Sequence, residues 1–328
     1  MPSTTYFRLP RALSASLCAL LAAGVLATGL APQTASAATP KPPASKVAPE
    51  AIEPLASYVP AVSCSPTTRP GSDKLGKLLV KTYPGTSFGG ARACGTTPDS
   101  EHHDGRAVDW MDSVRDAKQK KQAEAVISWL LATDADGNKY ANARRLGVMY
   151  LIWDNHIWGA YRPSDGWREY NGCTAKSKQS RSLDSTCHRN HIHISLSWEG
   201  AMGQTSYWTG KAAARDYGPC APKDLNWAYP YKTANPTPCA RHSIVKAPKG
   251  SSTLEKTLVA HSGKHLKKGS KGAAVTAIQK AVHTSASGTY TSATVSAVKS
   301  FQTKKKIKVT GTVNHTTWRA LLAANAPR

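Results

Sequence analysis

Residues 188–196 read HRNHIHISL. From His191 onward apolar and polar side chains alternate, so His191, His193 and Ser195 share one face of an extended strand and Ile192, Ile194 and Leu196 the other. The aliphatic face is one to bury. The other face carries imidazoles, and three of the chain's eleven histidines fall between 188 and 193. Nothing about folding a strand asks for that.

A second dense stretch lies upstream. Residues 100–110 read SEHHDGRAVDW, with two histidines and three acidic residues around Gly105. A catalytic zinc does ask for such a set. It takes neutral imidazoles and carboxylates in a tetrahedral shell and keeps one position for water. Two ligands from one segment and a third from a distant strand leave that opening. Between the two stretches, Ala123, Val126, Ile127, Leu130 and Leu131 have the spacing of one apolar helix face. Asp134–Asn138 (DADGN) reads as a surface turn rather than a calcium loop, lacking the third acidic position and the closing glutamate. Val148–Trp153 reads as a buried strand, and His156 follows in an Asp-Asn-His turn. Helices and strands mix without a regular βαβ rhythm, so the expected class is α+β, a small antiparallel sheet with helices.

The two stretches resemble the motifs of the LAS-type zinc peptidases, which include D-Ala-D-Ala carboxypeptidases and dipeptidases and the penicillin-insensitive murein endopeptidases. The first motif of that group is S-x-H-x-x-G-x-A-x-D, and Ser100, His102, Gly105, Ala107 and Asp109 fill every named position. The second ends in a liganding histidine, often as H-x-H, here His191-Ile192-His193. The resemblance covers about 55–208 and implies that His102, Asp109 and His193 bind Zn2+. One position departs. The carboxypeptidase branch uses a carboxylate three residues before the last ligand as general base, and this chain has Asn190. The endopeptidase branch places histidines two and five residues before it, as His191 and His188 stand here. Either is expected to act as general base or oxyanion stabiliser. Arg92 and Arg106 are candidates for the arginine that carries developing charge in this group. His103 and Asp104 read as solvated loop residues. Trp110, Trp153, Trp158 and Trp167 read first as packing residues and second as substrate platforms.

The C-terminal part has a different pattern. Val275, Ile278 and Val282 mark one helix, Ala297, Val298 and Phe301 a second, and Trp318, Leu321 and Leu322 a third, with Gly288 and Gly311 at turns. This three-helix, all-α unit closely resembles the peptidoglycan-binding domain of many wall hydrolases. The match includes Gly272, Val275, Gln279, Gly288, Thr294, Val298, Phe301, Gln302, Thr310, Gly311, Thr317 and Trp318. It implies binding to peptidoglycan without catalysis. Lys304, Lys305, Lys306 and Lys308 form a basic run, read as a solvated face or as a contact for anionic wall polymers.

Bulk properties place the chain outside the cell. Arg8 and Arg11 precede an apolar run, 12–30, and Ala35-Ser36-Ala37 is a small-x-small cleavage pattern. Cleavage after Ala37 is the expected outcome and would leave no stable membrane anchor; the competing reading is a membrane anchor, since the run is close to the ~20 residues that span a bilayer. The six remaining cysteines, an even number in an exported chain, read as disulfides. Order along the chain suggests Cys64–Cys94, Cys173–Cys187 and Cys220–Cys239. The net charge of +23 favours an anionic partner. Export argues against nucleic acid. The expected organisation is a signal peptide at 1–37, a linker at 38–54, a disulfide-containing zinc peptidase-like domain at 55–239, a linker at 240–264 and a peptidoglycan-binding domain at 265–325. The expected function is a secreted, wall-associated peptidase, a carboxypeptidase or endopeptidase. The competing reading is a non-catalytic wall-binding protein with a degenerate peptidase domain.

Overall fold

The strand read from 192–196 lies at the centre of a six-stranded antiparallel sheet of order β1-β2-β6-β3-β4-β5. The strands are β1 (Ser87–Gly89), β2 (Ala107–Met111), β3 (Val148–Trp153), β4 (His156–Gly159), β5 (Arg168–Glu169) and β6 (Ile192–Leu196). This is a computed structural model, and it describes residues 41–43, 52–65, 67–174, 176 and 180–326. The expected signal peptide and most of the expected first linker lie outside those residues.

Five short or medium helices accompany the sheet: α1 (Pro70–Thr82), α2 (Ala117–Leu131), α3 (Ala141–Leu146), α4 (Trp198–Ala201) and α5 (Ser206–Thr209). Proline at the first turn opens α1, and the Asp116 carboxylate caps α2 by accepting from the Lys118 and Gln119 amides. Leu75 and Leu79 of α1 and Val126 and Leu130 of α2 join Val108, Trp110, Leu151, Ile192 and Ile194 in one core. These strand residues form the back of the sheet. Trp110, Trp153 and Trp158 are packing residues of this core, at most 6% exposed. α1 approaches α4 so closely that a Cβ on Gly71 would sit 2.0 Å from the Gly200 carbonyl oxygen. Asp154 and Asn155, both with positive φ, make the tight turn between β3 and β4.

The register decides the front of the sheet. Asp109 of β2 stands opposite His193 of β6, and Ala107 opposite Ser195. On the other side of β6, Ile152 of β3 stands opposite His193 and Tyr150 opposite Ser195. Asp109, His193, Ser195, Tyr150 and Ile152 therefore share a face, by the two-residue period of strands. All three disulfides pair as chain order suggests: Cys64–Cys94, Cys173–Cys187 and Cys220–Cys239.

Four helices follow: α6 (Thr253–His261), α7 (Ala273–Ala281), α8 (Ser292–Lys304) and α9 (His315–Asn325). The last three are the helices expected from periodicity. The first corrects the second linker, because 253–261 is helical and Leu258 is buried in the second core with Val275, Ile278, Val298, Trp318 and Leu321. That core also takes in Leu225. The Trp227 amide donates to the Ser262 carbonyl (2.9 Å) and its indole to the Ala260 carbonyl (2.9 Å). Chain read as the end of the first domain thus packs on the second. Composition hid this: 240–252 is polar, and a nine-residue helix behind it has too few apolar positions to stand out. Glu53, placed in the first linker, is also buried and accepts from the Ser206 amide (2.6 Å) and hydroxyl (2.6 Å).

The second core holds a repeat that composition concealed. Gln302 follows Gln279 by 23 residues. The Gln279 amide donates to the Thr289 carbonyl (2.9 Å) and Thr294 hydroxyl (2.9 Å) and accepts from the Gly288 amide (2.9 Å). Gln302 makes the same set with the Thr312 carbonyl (2.9 Å), the Thr317 hydroxyl (3.0 Å) and the Gly311 amide (2.9 Å). Both glutamines are fully buried. Each staples a helix to the turn that opens the next. Among the described residues no helix is long and apolar enough to cross a membrane.

Candidate metal centre

His102 sits in a 3-10 turn, Glu101–His103, whose first residue is preceded by Ser100. The Ser100 hydroxyl accepts the His102 amide (3.4 Å). Gly105 then turns the chain into β2 with φ +81°, where a Cβ would also lie 2.4 Å from the Thr67 carbonyl oxygen. These are the physical reasons for the serine and glycine of the S-x-H-x-x-G motif.

His102, Asp109 and His193 meet on the front of the sheet, all buried, with ligand atoms within 4.8 Å of one another. His102 Nε2 lies 3.0 Å from Asp109 Oδ1, and His193 Nδ1 also lies 3.0 Å from that oxygen. The two ring nitrogens are 3.2 Å apart. The outward nitrogens fix which electron pairs face inward. His102 Nδ1 is 2.6 Å from the Gly90 carbonyl oxygen, which can only accept, so Nδ1 carries the hydrogen and Nε2 offers a lone pair. His193 Nε2 is 2.9 Å from the Ser195 hydroxyl, which itself donates to Glu101 Oε2 at 3.4 Å. The Tyr150 hydroxyl donates to the same Glu101 oxygen, and its ring stacks on His193 at 5.4 Å. Along this chain Nε2 of His193 is the donor and Nδ1 again presents a lone pair.

Three electron-pair donors therefore face one point with no hydrogen of their own between them. Such a set is repulsive unless a cation lies there, and two imidazoles with one carboxylate is a donor set that suits zinc. Asp109 responds to the same field. Burial pushes its carboxyl up, but the two imidazoles beside it, His102 and His193, outweigh that and hold it well below the usual carboxylate range. Replacing Ser195 by alanine or Glu101 by glutamine unlocks the His193 tautomer. Each change is expected to weaken metal affinity by about 10–100-fold, measured by competition with a chromogenic chelator.

A cavity of about 470 Å³ opens over this cluster and is also lined by Arg92, Met111, Tyr170, Ser185, His188, Asn190 and His191. His191 Nε2 points at Asp109 Oδ1 from 3.6 Å. Its Nδ1 lies 2.8 Å from Asn190 Oδ1, and the Asn190 amide nitrogen donates to the Ser185 hydroxyl (2.8 Å). The asparagine oxygen accepts, so His191 keeps its Nε2 lone pair toward the cavity. Burial holds the His191 imidazole down to about 4 and, helped by the neighbouring rings of His193 and His191 that disfavour a further positive charge, that of His188 to about 3. Both are neutral at physiological pH. His188 has φ +53°, follows Cys187 of a disulfide, and lies 4.8 Å from the His191 ring. Its carbonyl accepts from the Asp154 amide (2.8 Å), which docks it on the β3–β4 turn.

The two candidate arginines part company. Arg92 is largely exposed, lines the cavity and pairs with Asp109 Oδ2. Arg106 is fully buried and serves the scaffold. Its guanidinium binds Asp104 (3.1 Å), the Leu196 carbonyl (3.0 Å) and the Val59 carbonyl (2.9 Å) beneath Trp198. Asp104 is accordingly no solvated loop residue but a fully buried partner of Arg106. His103 is mostly covered too, with its ring 6.3 Å from that of Trp227. The sequence reading missed Glu101, Ser195 and Tyr150. Alternation put Ser195 beside His193, a usable signal; Tyr150 sat in a run read simply as core.

Two family models match parts of the chain. Residues 64–180 match the model for the VldE C-terminal domain, a span that includes His102 and Asp109 and stops before His188. Residues 272–321 match the peptidoglycan binding domain family. No curated protein and no solved structure matches the chain. The C-terminal module is thus a peptidoglycan-binding domain, and it associates the chain with the cell wall.

Proposed function

We propose that the protein is a zinc-dependent peptidase that cuts peptide bonds in peptidoglycan stems or cross-links, held on its substrate by the C-terminal module. The observation that carries this reading is the convergence of His102 Nε2, His193 Nδ1 and Asp109 Oδ1 at the floor of a cavity that also contains a neutral, oriented histidine. The bound metal supplies Lewis acidity to a water and to the substrate carbonyl.

His191 is the general base in this reading. Its free Nε2 faces the cavity, takes the proton of the attacking water, and can return it to the departing amine. Asn190, where the carboxypeptidase branch has its carboxylate, acts one step back by fixing the tautomer of His191. Arg92 stands at the cavity's open side and carries negative charge developing on the carbonyl oxygen. Tethering on the wall raises the local substrate concentration without adding catalytic contacts.

The reading is tested by digesting purified peptidoglycan with the mature protein and identifying released fragments by mass spectrometry, with and without a chelator. Fragments that disappear with the chelator and return with zinc support it, and their masses name the bond. Wall retention with metal bound but no fragments under any condition would favour the non-catalytic alternative. The Asn190→Ala variant is expected to keep its metal and KM and to lose about 10–100-fold in kcat, a fraction of what general-base catalysis contributes. Asn190→Asp, which still accepts from Nδ1, should recover most of that loss.

A further inference from the structure

Residues 265–328 contain nine lysines, Arg319 and Arg328, and neither aspartate nor glutamate. The rest of the chain holds all twenty acidic residues. All nine lysines are exposed, and no described residue forms a salt bridge with any of them. Arg319 differs, because its guanidinium is paired with Asp224 (2.6 Å) outside the module. The lysines gather at two places: Lys267, Lys268 and Lys271 before α7, and Lys304, Lys305, Lys306 and Lys308 where α8 ends. Lys306 closes that helix with φ +55°.

A bland role exists for part of this charge, since cations stabilise a helix C-terminus. One or two lysines in the last turn of α8 serve that purpose. The others repel one another in a small domain, and self-repulsion costs stability unless a partner neutralises it. The residue type also speaks. Lysine is a compact point charge on a flexible stem, suited to a mobile string of anions, whereas arginine is the residue for planar bidentate recognition. Here the unpaired cations of the described module are lysines.

We propose that these exposed lysines, those at the end of α8 above all, are a second wall contact, one that binds a phosphodiester-rich anionic polymer lying beside the peptidoglycan. The proposal rests on the wall association of the module and not on catalysis, so a failed peptidase assay leaves it standing. The peptidoglycan-binding core holds the glycan-peptide mesh; the lysines hold the polyanion threaded through it.

The test uses the full mature protein and purified Gram-positive walls, either intact or acid-extracted to remove phosphodiester polymers. Retention on intact walls is expected to exceed that on extracted walls and to fall steeply with salt. Counterion release gives a slope of about 0.7–0.9 per neutralised charge, so four lysines account for roughly a 50–150-fold loss of affinity between 0.05 and 0.2 M salt. The variant Lys304→Gln, Lys305→Gln, Lys306→Asn, Lys308→Gln should lose most of that slope on intact walls and be unchanged on extracted ones. Changing the same four to arginine should preserve the slope, which separates charge from folding. Equal retention and equal salt dependence on both wall preparations would overturn the proposal. So would displacement by duplex DNA where the extracted wall polymer, at equal phosphate concentration, displaces nothing.

Discussion

With His193 replaced by alanine, the protein is expected to purify without bound zinc and to release no fragments from peptidoglycan above about a thousandth of the parent rate. His193 is one of three inward-facing donors, and its Nδ1 lies 3.0 Å from Asp109 Oδ1 and 3.2 Å from His102 Nε2. Without it two protein ligands remain, fewer than a catalytic zinc site uses. Metal-assisted polarisation contributes several kcal/mol to the transition state. At 1.36 kcal/mol per tenfold, that is on the order of 10³ in rate. The comparison that makes the result specific is His191→Ala. That residue is 3.6 Å from Asp109 and holds no place in the donor triangle. The His191 variant should retain one zinc per chain and still lose about 10²–10⁴-fold in kcat. A second readout needs no turnover. Zinc that binds only the folded state raises stability by about 2.7 kcal/mol at a hundredfold excess over Kd. The parent and His191→Ala should show that shift on zinc addition, and His193→Ala should not. A His193→Ala protein that still carries stoichiometric zinc would show the ligand set to be wrong.

What the sequence disclosed about this site, and what it did not, follows the range of the forces involved. The alternation in 191–196 is local, and it placed His193 and Ser195 on one face and the isoleucines in the core, where they lie. The convergence of His102, Asp109 and His193 was legible because the motif residues around them are also constrained locally: Gly105 by φ +81° and Ser100 by the capped turn. Arg106 was not, because burial beside Asp104 depends on Trp198 and on the carbonyls of Val59 and Leu196, all far along the chain. Arg92 was indistinguishable from it on the page, and only the cavity tells them apart. Asn190 shows the opposite case. Its inability to accept a proton was plain, but its use as a hydrogen-bond acceptor from His191 needs a second partner, Ser185, to orient the amide. The second linker failed for a related reason. Trp227 and Asn226 dock on α6 through backbone carbonyls, with the Asn226 amide donating to the Val259 carbonyl at 2.8 Å, and carbonyls leave no mark in composition.

Replacing Gln302 by alanine is expected to abolish wall retention at 37 °C by unfolding the C-terminal module. The side chain is fully buried and makes hydrogen bonds with the Thr310 hydroxyl (3.1 Å), the Thr312 carbonyl (2.9 Å), the Thr317 hydroxyl (3.0 Å), the Thr310 amide (2.9 Å) and the Gly311 amide (2.9 Å). Alanine leaves the partners in place and removes what satisfies them. An orphaned buried donor or acceptor costs about 1–3 kcal/mol, and the loss of packing adds to it, so the total is on the order of 3–5 kcal/mol. At roughly 0.05–0.15 kcal/mol per residue, a module of this size has a total stability of the same order. Its core is small, built around Val275, Ile278, Val298, Trp318 and Leu321. The sheet keeps its own core and disulfides, so zinc binding should survive. Urea denaturation followed by wall sedimentation distinguishes the outcomes, and an unchanged midpoint with normal retention would refute the staple. Gln302→Glu sharpens the argument through pH. Its carboxylate can accept the two backbone amides, but the oxygen facing the Thr312 carbonyl needs a proton. The folded state therefore raises that carboxyl above its ordinary value near ~4.3. A group raised on folding contributes its stability below the unfolded pKa and loses it as pH rises through the folded one. The glutamate variant should stand close to the parent near pH 4 and fall progressively below it toward pH 7. Gln279 makes the equivalent contacts one repeat earlier, and Gln279→Glu should show the same pH dependence.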